Sequence, residues 1–327
     1  MGIELKRIGV FTSGGDSSGM NAAIRAVVRS GIFYGVQVYG ICEGYEGMID
    51  NKINLMNERS VGKIIDRGGT ILKSARSERF KTANGRKQAY RNLKEHNIDA
   101  LVCIGGDGSL TGLKLFSETY KIPVIGLPGT IDNDLYGTDY TIGFDTAVNT
   151  CVEAIDKIRD TATSHNRLFF VEVMGRDAGF IALNAAIASG ASAVMLPERH
   201  IEVDELIVTL EKNAKNGKSS SIVIVAEGNK NGDAMALAKA VEEKKKDYEV
   251  RVTILGHIQR GGRPGYFDRV LASRMGVFAV ESLLNGETDC MVGIRNSEMV
   301  LVALNKAIKM NADINENNYK IAKILSI

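Results

Sequence analysis

Residues 100–108 read ALVCIGGDG, an apolar run that ends in a glycine-rich turn. A short, uninterrupted apolar run is typical of a strand in a parallel sheet that is covered on both faces. Seven further runs rich in β-branched residues repeat the pattern, and stretches of helical period separate them. The predicted strands are Ile8–Phe11, Val36–Cys42, Ala100–Ile104, Val124–Gly126, Leu168–Val173, Ala193–Leu196, Ser221–Ala226 and Val252–Leu255. Strands that alternate with helices predict the α/β class.

The helical signal is clearest from Thr146 to Asp160, where apolar residues recur on one side of the helix. At 327 residues the chain is long for one core and sufficient for two. We find no internal repeat, and no shift in composition marks a boundary between domains.

Composition and charge exclude several classes of protein. The net charge is only +2, and the longest basic run, Lys244–Lys246, falls on a predicted helix from Glu242 to Tyr248. We therefore expect a solvated surface and no nucleic-acid partner. No segment has the ~18 apolar residues that a membrane span needs, and no signal-peptide core is present, so we expect a cytoplasmic protein without a membrane partner. The cysteines lack CxxC spacing, which argues against disulfides and zinc; they are Cys42, Cys103, Cys151 and Cys290.

Polar and glycine-rich turns follow the predicted strands, at the sheet edge where α/β proteins bind ligands. The turns are Gly14–Asp16, Gly105–Gly108, Pro128–Asp134, Met174–Arg176, Glu227–Gly228 and Gly256–Gly262. Glycine turns let backbone N–H groups approach phosphates, although each one alone is more often a tight connection. The GxxxxGK[ST] and GxGxxG motifs are absent, which disfavours two common classes of nucleotide-binding protein.

Three of the carboxylates in these turns could take part in phosphoryl transfer. Asp107 could hold Mg²⁺ together with substrate phosphates, or it could simply cap a helix or form an Asx turn. Asp132 and Asp134 would point the same way in an extended stretch, and one of them could accept a proton from an alcohol during phosphoryl transfer. A polar loop that bonds its own backbone explains the same residues about as well.

Arginines accompany these turns, and guanidinium groups bind phosphate with forked hydrogen bonds. Each one singly is more often a surface ion-pair partner. They are Arg76, Arg167, Arg176, Arg251, Arg260 and Arg263. Together the turns and arginines predict a cleft for anionic, phosphorylated ligands.

The order and spacing of six motifs resemble those of the bacterial-type ATP-dependent 6-phosphofructokinases over nearly the whole chain. The motifs are Thr12–Asp16, Ser74–Arg76, Gly105–Ser109, Pro128–Asp134, Met174–Arg176 and Gly256–Gly262. The resemblance implies two Rossmann-like three-layer α/β/α domains with mostly parallel sheets and an active site in the cleft between them. It implies a larger ATP-binding domain of residues 1–142 plus 255–305, and a smaller fructose 6-phosphate-binding domain of residues 143–254 plus 306–327.

The same resemblance implies a role for each matching residue. The ATP site, with ATP as co-substrate, would comprise Gly15, Arg76, Ser77, Gly106, Asp107, Gly108 and Ser109, and Asp107 would hold Mg²⁺. Asp132 would be the base for the sugar 1-hydroxyl, with Thr130 and Asp134 beside it, while Arg76 and Arg176 would steady the moving phosphoryl group. Fructose 6-phosphate would meet Thr130, Asp132, Met174, Gly175, Arg176, Glu227, His257 and Arg260. Arg167 and Arg251 would reach the 6-phosphate in a neighbouring subunit, which implies a homo-oligomer, usually a tetramer.

The donor and the regulation are also implied. Pyrophosphate-dependent members of the family tend to carry Asp and Lys where this sequence has Gly108 and Gly129, so ATP is expected. Arg25, Arg29, Arg159 and Lys218 match basic positions of the allosteric effector site. That site is altered, because Ser192 replaces an acidic metal-binding residue and Glu58 and Asn216 replace basic ones. We expect weak or altered activation by ADP and inhibition by phosphoenolpyruvate.

Three other functions compete with this interpretation. The first is the same fold with pyrophosphate as donor, which Gly108 and Gly129 oppose. The second is a kinase of NAD or a lipid that shares the Asp107 turn, which would leave the later motifs unexplained. The third is a non-catalytic sensor of nucleotides or sugar phosphates, which the presence of both Asp107 and Asp132 disfavours.

Overall fold

The computed structural model describes residues 5–165, 167–216, 221–310 and 312–326. Over these residues the chain forms strands and α-helices in alternation, and the predicted α/β class is confirmed. The strands are β1 (Arg7–Ser13), β2 (Gln37–Ile41), β3 (Ile53–Met56), β4 (Ala100–Gly105), β5 (Val124–Pro128), β6 (Leu168–Val173), β7 (Ala193–Met195), β8 (Ser221–Ala226), β9 (Val250–Ile254), β10 (Cys290–Arg295) and β11 (Glu298–Ala303). The helices are α1 (Met20–Phe33), α2 (Gly44–Ile49), α3 (Glu78–Lys81), α4 (Ala83–Glu95), α5 (Asp107–Tyr120), α6 (Phe144–His165), α7 (Phe180–Ser189), α8 (Val203–Lys215), α9 (Ala234–Lys244), α10 (Tyr266–Leu284), α11 (Leu304–Ala307) and α12 (Glu316–Leu325), with a 3-10 helix at Gly256–Gln259.

The chain divides into two compact units, and each carries one sheet. The first unit comprises Met1–Ile131, Leu135–Thr146 and Arg260–Ala312. The second unit comprises Asp132–Asp134, Ala147–Gln259 and Asp313–Ile327. The boundaries expected from the sequence, and the ligand assigned to each domain, stay a prediction.

The sheet of the first unit has seven strands in the order β11-β10-β5-β4-β1-β2-β3. β1 pairs in parallel with β2 on one side and with β4 on the other. The strand order therefore reverses at β1, and open α/β sheets bind ligands beyond the carboxyl ends of the strands at such a point. β3 and β11 are antiparallel edge strands, so the sheet is mostly parallel.

The packing of β4 explains why its sequence is an uninterrupted apolar run. Every residue of β4 is buried. Val102 packs into a cluster that includes residues of α1 and α10, whereas Leu101 and Cys103 pack into a second cluster that includes residues of α4 and α5. Successive side chains point to opposite faces of a sheet, so a strand covered by helices on both faces needs apolar residues throughout. Each large side chain buried in this way contributes about 1.5–3 kcal/mol.

The sheet of the second unit has four parallel strands in the order β7-β8-β6-β9. The chain passes from β6 to the far edge at β7, returns through β8, and then crosses to the other side of β6 at β9. The carboxyl ends of β6, β8 and β9 are therefore neighbours. This arrangement gathers the turns after β6, β8 and β9 at one edge of the sheet.

Three strands were missing from the prediction, namely β3, β10 and β11. β10 and β11 form a hairpin in which Arg295 pairs with Glu298. The two residues between them, Asn296 and Ser297, have φ angles of 49° and 69°. Positive φ at both central positions is the geometry of a type I′ turn. Because Asn-Ser replaces the usual Asn-Gly, this hairpin lacks its strongest sequence signal.

The predicted helix from Glu242 to Tyr248 is wrong beyond Lys244, where α9 ends. The Lys244 ammonium lies 2.6 Å from the Asp204 carboxylate, and Lys245 pairs with Glu211. These are exposed ion pairs of the second unit. The basic run therefore lies on a solvated, charge-balanced surface, as expected.

Asp268 on α10 is fully buried and holds the segment that leads into α6. One of its carboxylate oxygens accepts a hydrogen bond from the Gly143 N–H at 2.8 Å. The other accepts from the Thr146 N–H at 2.9 Å and from its hydroxyl at 2.6 Å. Burial raises the pKa of Asp268 to about 6, although the bonds from Thr146 and Gly143 act in the opposite direction.

The raised pKa predicts a pH-dependent stability. An unfolded Asp titrates near pH 4, so the folded state holds its proton more tightly, and the stability that protonation adds is lost as the pH rises through about 6. Between about pH 5 and pH 7.5 the wild-type chain should lose roughly 1 kcal/mol of unfolding free energy relative to Asp268→Asn. Urea unfolding of both proteins at the two pH values measures the difference. Parallel pH profiles would contradict this assignment.

Candidate active site

The turns after β1 and β4 lie side by side in the first unit. The strand register pairs Ser13 with Gly105, the last residues of the two strands. Ser109 in the first turn of α5 is buried, and a Cβ on Gly14 would lie 3.1 Å from its hydroxyl oxygen. The two glycine-rich turns thus meet at the point where the strand order reverses, which is the expected position for a phosphate-binding surface.

Helix α5 begins at Asp107, directly after β4. Its N-cap residue is Gly106, which has no side chain that could cap the helix. Asp107 and Gly108 are exposed. A helix N-terminus carries partial positive charge and N–H groups that point outward, so it favours an anion and stabilises the Asp107 carboxylate.

The segment around Arg76 is tied to β1 by hydroxyl groups. Ser74 donates a hydrogen bond to the Gly14 carbonyl oxygen, and Thr12 donates to the Lys73 carbonyl oxygen at 2.7 Å. Arg76 is exposed next to these anchors. The sequence-predicted ATP ligand Ser77 is engaged elsewhere through its side chain, because its hydroxyl caps α3 by accepting from the Phe80 N–H at 3.1 Å.

Arg260 lies in the first unit, beside the β1 turn. Its guanidinium donates a hydrogen bond to the Asp16 carbonyl oxygen at 3.2 Å. The sequence assigned Arg260 to the sugar phosphate together with Met174–Arg176, which belong to the second unit.

Arg263 is 4.0 Å from the Asp66 carboxylate in an exposed ion pair. Such a pair contributes little to stability.

The turn after β5 holds the predicted base. The Gly129 N–H donates to the Gly105 carbonyl oxygen at 3.0 Å, which fastens the end of β5 to the end of β4. The Thr141 hydroxyl donates to the Thr130 carbonyl oxygen at 2.6 Å. Asp132 is 6% exposed and belongs, with Asn133 and Asp134, to the second unit.

Gly108 and Gly129, on which the donor prediction depends, differ in the space around them. A Cβ added to Gly108 would meet no atom within 4 Å. A Cβ on Gly129 would lie 2.9 Å from both Ile104 Cγ2 and Met20 Cε. A side chain at 129 would have to displace Ile104 and Met20, whereas the fold accepts one at 108 without displacing any atom.

In the second unit, the Met174–Arg176 turn follows β6. Gly175 and Arg176 have φ angles of 145° and 55°, and a Cβ on Gly175 would lie 2.3 Å from the Ala178 carbonyl oxygen. The Arg176 N–H donates to the Glu227 carboxylate at 2.9 Å. The Arg176 side chain and Glu227, at the ends of β6 and β8, are both exposed. His257 is also exposed, in the 3-10 helix after β9.

Arg167 and Arg251 come together on Glu249. The Arg167 Nε–H donates to the Glu249 carboxylate at 2.9 Å, and Arg251 donates to the same oxygen. Desolvation alone would raise the pKa of Glu249, but the two arginines lower it on balance. The two arginines that the family resemblance assigns to one phosphate therefore contact the same carboxylate.

The residues predicted for an effector site fall in separate parts of the chain. Arg25 and Arg29 line a cavity of about 350 Å³ on the first unit, and desolvation and the charge of Arg29 lower the pKa of Arg25. Arg159 donates to the Ser189 carbonyl oxygen in the second unit. Lys218 lies outside the described residues. The three residues at altered positions are also described: Ser192 is buried, while Glu58 and Asn216 are exposed.

Two further properties concern metals and membranes. Among the described residues, no group of three or more His, Cys, Asp or Glu side chains could enclose a metal ion. Within the same part of the chain, no helix has the length and apolar character that a membrane span requires.

The sequence analysis did not single out two buried residues that hydrogen-bond to these segments. Gln259, 1% exposed, contacts Met174 and Cys151, and Asp268 holds the start of α6. Gln259 stands inside the quoted Gly256–Gly262 motif, so the motif itself was a signal. Cys151 was expected only to be a buried thiol, and it is buried.

Comparisons with known proteins agree with this geometry. A sequence profile described as "Phosphofructokinase" matches residues 7–283. The chain is 54% identical over 323 residues to "ATP-dependent 6-phosphofructokinase 2" of Bacteroides thetaiotaomicron, covering 99% of both chains. It is 53% identical to "ATP-dependent 6-phosphofructokinase 1" of Thermus thermophilus, covering 99% of this chain and 100% of the relative.

Among solved structures, phosphofructokinase from Saccharomyces cerevisiae superposes with a TM-score of 0.90 at 38% identity. The match covers 98% of this chain and 48% of the yeast chain, so the chain spans about half of that protein. A pyrophosphate-dependent phosphofructokinase from Marinobacter aquaeolei superposes with a TM-score of 0.85 at 21% identity, which supports the fold alone. On the sequence profile and the full-length identity to its relatives, the chain belongs to the phosphofructokinase family.

Proposed function

We propose that the protein is an ATP-dependent 6-phosphofructokinase, which transfers the γ-phosphoryl group of Mg·ATP to the 1-hydroxyl of fructose 6-phosphate in glycolysis, in the cytoplasm. The observation that carries the proposal is full-length identity of 53–54% to two relatives that bear this name. The geometry supports it, because each unit gathers phosphate-compatible residues at the carboxyl ends of its strands.

The first unit would bind ATP. Gly15 and Gly106–Ser109 supply backbone N–H groups and the N-terminus of α5, which suit phosphate oxygens. Arg76 is exposed beside them and would compensate charge on the transferring group. Since the Ser77 hydroxyl caps α3, its contribution to ATP binding would come from its backbone. We propose residues 1–142 plus 255–305 as this domain.

Asp107 would hold Mg²⁺. The residue fits, because it is exposed in the first turn of α5, where the N-terminus faces the proposed phosphate positions. Mg²⁺ typically takes one or two carboxylates plus phosphate oxygens and waters, so a single protein carboxylate is compatible with it. When bound, the ion would neutralise charge on the phosphate oxygens.

The second unit, as residues 143–254 plus 306–327, would bind fructose 6-phosphate. Met174, Gly175, Arg176 and Glu227 meet at the ends of β6 and β8, and His257 follows β9. Arg260 hydrogen-bonds to the Asp16 carbonyl oxygen in the first unit, which uses one of the five N–H donors of its guanidinium and leaves others for the sugar phosphate.

The transfer itself would be direct and in line. Asp132 would accept the proton of the 1-hydroxyl, with Thr130 and Asp134 beside it, while Arg76 and Arg176 offset the developing charge. Burial in the turn after β5 would hold the Asp132 carboxylate in position. No cofactor beyond Mg²⁺ is needed for this chemistry.

The assembly would be a homo-oligomer, with a tetramer as the expected size. Arg167 and Arg251, paired on Glu249, would bind the 6-phosphate held by a neighbouring subunit, so that each active site is shared. Arg25, Arg29, Arg159 and Lys218 would bind an effector. Regulation by ADP and phosphoenolpyruvate would be weak or altered, because Ser192, Glu58 and Asn216 stand at its positions.

A coupled assay for fructose 1,6-bisphosphate, with ATP or pyrophosphate as donor and Mg²⁺ present, tests the proposal. We expect turnover with ATP and none with pyrophosphate. Turnover with pyrophosphate alone would keep the sugar substrate and overturn the donor. Activity with neither donor would reject the kinase and favour a non-catalytic sensor.

Gly108→Asp tests the basis of donor choice. The fold has room for the side chain, and the added carboxylate would stand at the α5 N-terminus beside the proposed ATP phosphates. Because like charges so placed cost several kcal/mol, we expect kcat/KM for ATP to fall by about 100-fold or more, with little change in melting temperature.

Gly108→Asn is the matched control, since it has the same size without the charge. A loss in Gly108→Asp alone would indicate electrostatic exclusion, and equal losses in both would indicate steric exclusion. Full ATP activity in both variants would contradict the role given to this position. Gly129 is unsuitable for this test, because a side chain there would also have to displace Ile104 and Met20.

A further inference from the structure

Gln259 is a buried side chain that links three segments of the second unit. It is 1% exposed at the end of the 3-10 helix after β9. Its amide nitrogen donates to the Gly256 carbonyl oxygen at 3.0 Å. Its amide oxygen accepts from the Met174 N–H at 3.1 Å and from the Cys151 thiol at 2.9 Å. The carboxamide therefore joins the turn after β9, the turn after β6 and helix α6.

The thiol of Cys151 is a dependable donor in this arrangement. Cys151 is fully buried on α6, and burial raises its pKa to about 12. It stays protonated at neutral pH, so its S–H is available to the Gln259 oxygen. The Met174 N–H can only donate, so it sets the amide oxygen toward Met174, and the thiol adds a second, weaker donor to the same oxygen. With the oxygen held toward Met174, the amide nitrogen is directed to Gly256.

The turn that receives this support has an unfavourable backbone conformation. Arg176, a non-glycine residue, has a φ angle of 55°, and left-handed geometry typically costs ~1 kcal/mol or more outside glycine. Such a conformation persists only where surrounding contacts determine it. Two contacts do so here: Gln259 holds Met174 at the start of the turn, and Glu227 holds the Arg176 N–H at 2.9 Å.

We propose that Gln259 and Cys151 are positioning residues that set the Met174–Arg176 turn for the sugar phosphate. Neither side chain contacts substrate in this role; both act through the backbone that presents Met174, Gly175 and Arg176. The inference rests on the proposed function, since it takes this turn to bind fructose 6-phosphate.

The pair Cys151→Ala and Cys151→Ser provides the matched test. Alanine removes the donor, whereas serine keeps a hydroxyl that can donate to Gln259. A net hydrogen bond is worth about 0.5–1.5 kcal/mol, so we expect KM for fructose 6-phosphate to rise about 2- to 10-fold in Cys151→Ala. Cys151→Ser should restore most of the loss. KM for ATP should change less than about 2-fold in either variant, because Arg176 would act on the transferring phosphoryl group mainly in the transition state and the other proposed ATP contacts lie in the first unit.

Gln259→Met removes both polar ends at similar length, and it should raise KM for fructose 6-phosphate by about tenfold or more. Hydrogen exchange of the peptide containing Met174–Arg176 should become faster in the folded protein. Unfolding midpoints show whether each variant is folded. If Gln259→Met does not fold, the two Cys151 variants decide the matter alone.

The outcomes separate this inference from the proposed function. An active wild-type enzyme whose KM for fructose 6-phosphate is unaffected by these substitutions would overturn the positioning role. A parallel rise in both KM values, together with lower melting temperatures, would reduce the residues to general structural support and also overturn it. If the wild type does not phosphorylate fructose 6-phosphate, the proposed function fails, and hydrogen exchange alone shows whether Gln259 holds the turn.

Discussion

Asp132→Asn should lower kcat for phosphorylation of fructose 6-phosphate by about 10²–10⁴-fold, the usual contribution of a general base. The amide has the size of the carboxylate but cannot accept the proton of the 1-hydroxyl. KM for both substrates should change far less, because the substitution removes an interaction made mainly in the transition state. Steady-state kinetics with ATP and fructose 6-phosphate measure both effects.

Asp139→Asn is a suitable control, since this carboxylate is on the same stretch of chain but exposed. It accepts a hydrogen bond from the Asn296 N–H at 2.8 Å. It should keep nearly wild-type kinetics. Near-normal turnover in Asp132→Asn would show that another group accepts the proton. A large rise in KM with unchanged kcat would instead make Asp132 a binding residue.

The strands were predictable where helices cover both faces of a sheet. β4, β6 and β8 read as apolar runs because all of their residues except the partly buried Glu172 are buried. The predicted Leu168–Val173 and Ser221–Ala226 match the structure residue for residue. β3 is short and lies at the edge of its sheet. Two of its central residues, Asn54 and Leu55, are exposed, so it offered no such run.

The hairpin of β10 and β11 was not predicted from the sequence for a different reason. Its turn residues Asn296 and Ser297 adopt left-handed conformations that the two paired strands and contacts from distant residues such as Asp139 support. Local preference for that turn is weak for serine, and tertiary pairing overrides it. Signals that depend on distant partners are not readable from a local window of sequence.

The candidate site shows the same division between local and distant information. Glycine turns and Asp107 follow strands in sequence, so their meeting at the edge of the sheet could be expected from general rules of α/β folds. That the Ser77 hydroxyl caps α3 and that Arg260 bonds to Asp16 depend on contacts across the fold. Gln259 is similar, because its partners Cys151 and Met174 lie 108 and 85 residues away in the chain.

Asp107→Asn should lower kcat/KM for ATP by about 10²–10³-fold, because a Lewis-acid metal site contributes several kcal/mol to phosphoryl transfer. The variant should need a higher Mg²⁺ concentration for half-maximal activity. Asp107 also lies in the first turn of α5, where loss of its charge costs only about 0.3–1 kcal/mol of stability. Activity as a function of Mg²⁺, measured beside the melting temperature, separates the two effects.

Glu205→Gln supplies the matched control, because Glu205 is an exposed acid in the first turn of α8 and lies outside the proposed site. It removes the same kind of helix-end charge and should leave kcat/KM unchanged. If both variants lost activity only in proportion to their stability, Asp107 would be a helix-end acid and nothing more. If Asp107→Asn lost activity at saturating Mg²⁺ while its melting temperature matched that of Glu205→Gln, the carboxylate would act on the metal–phosphate complex itself.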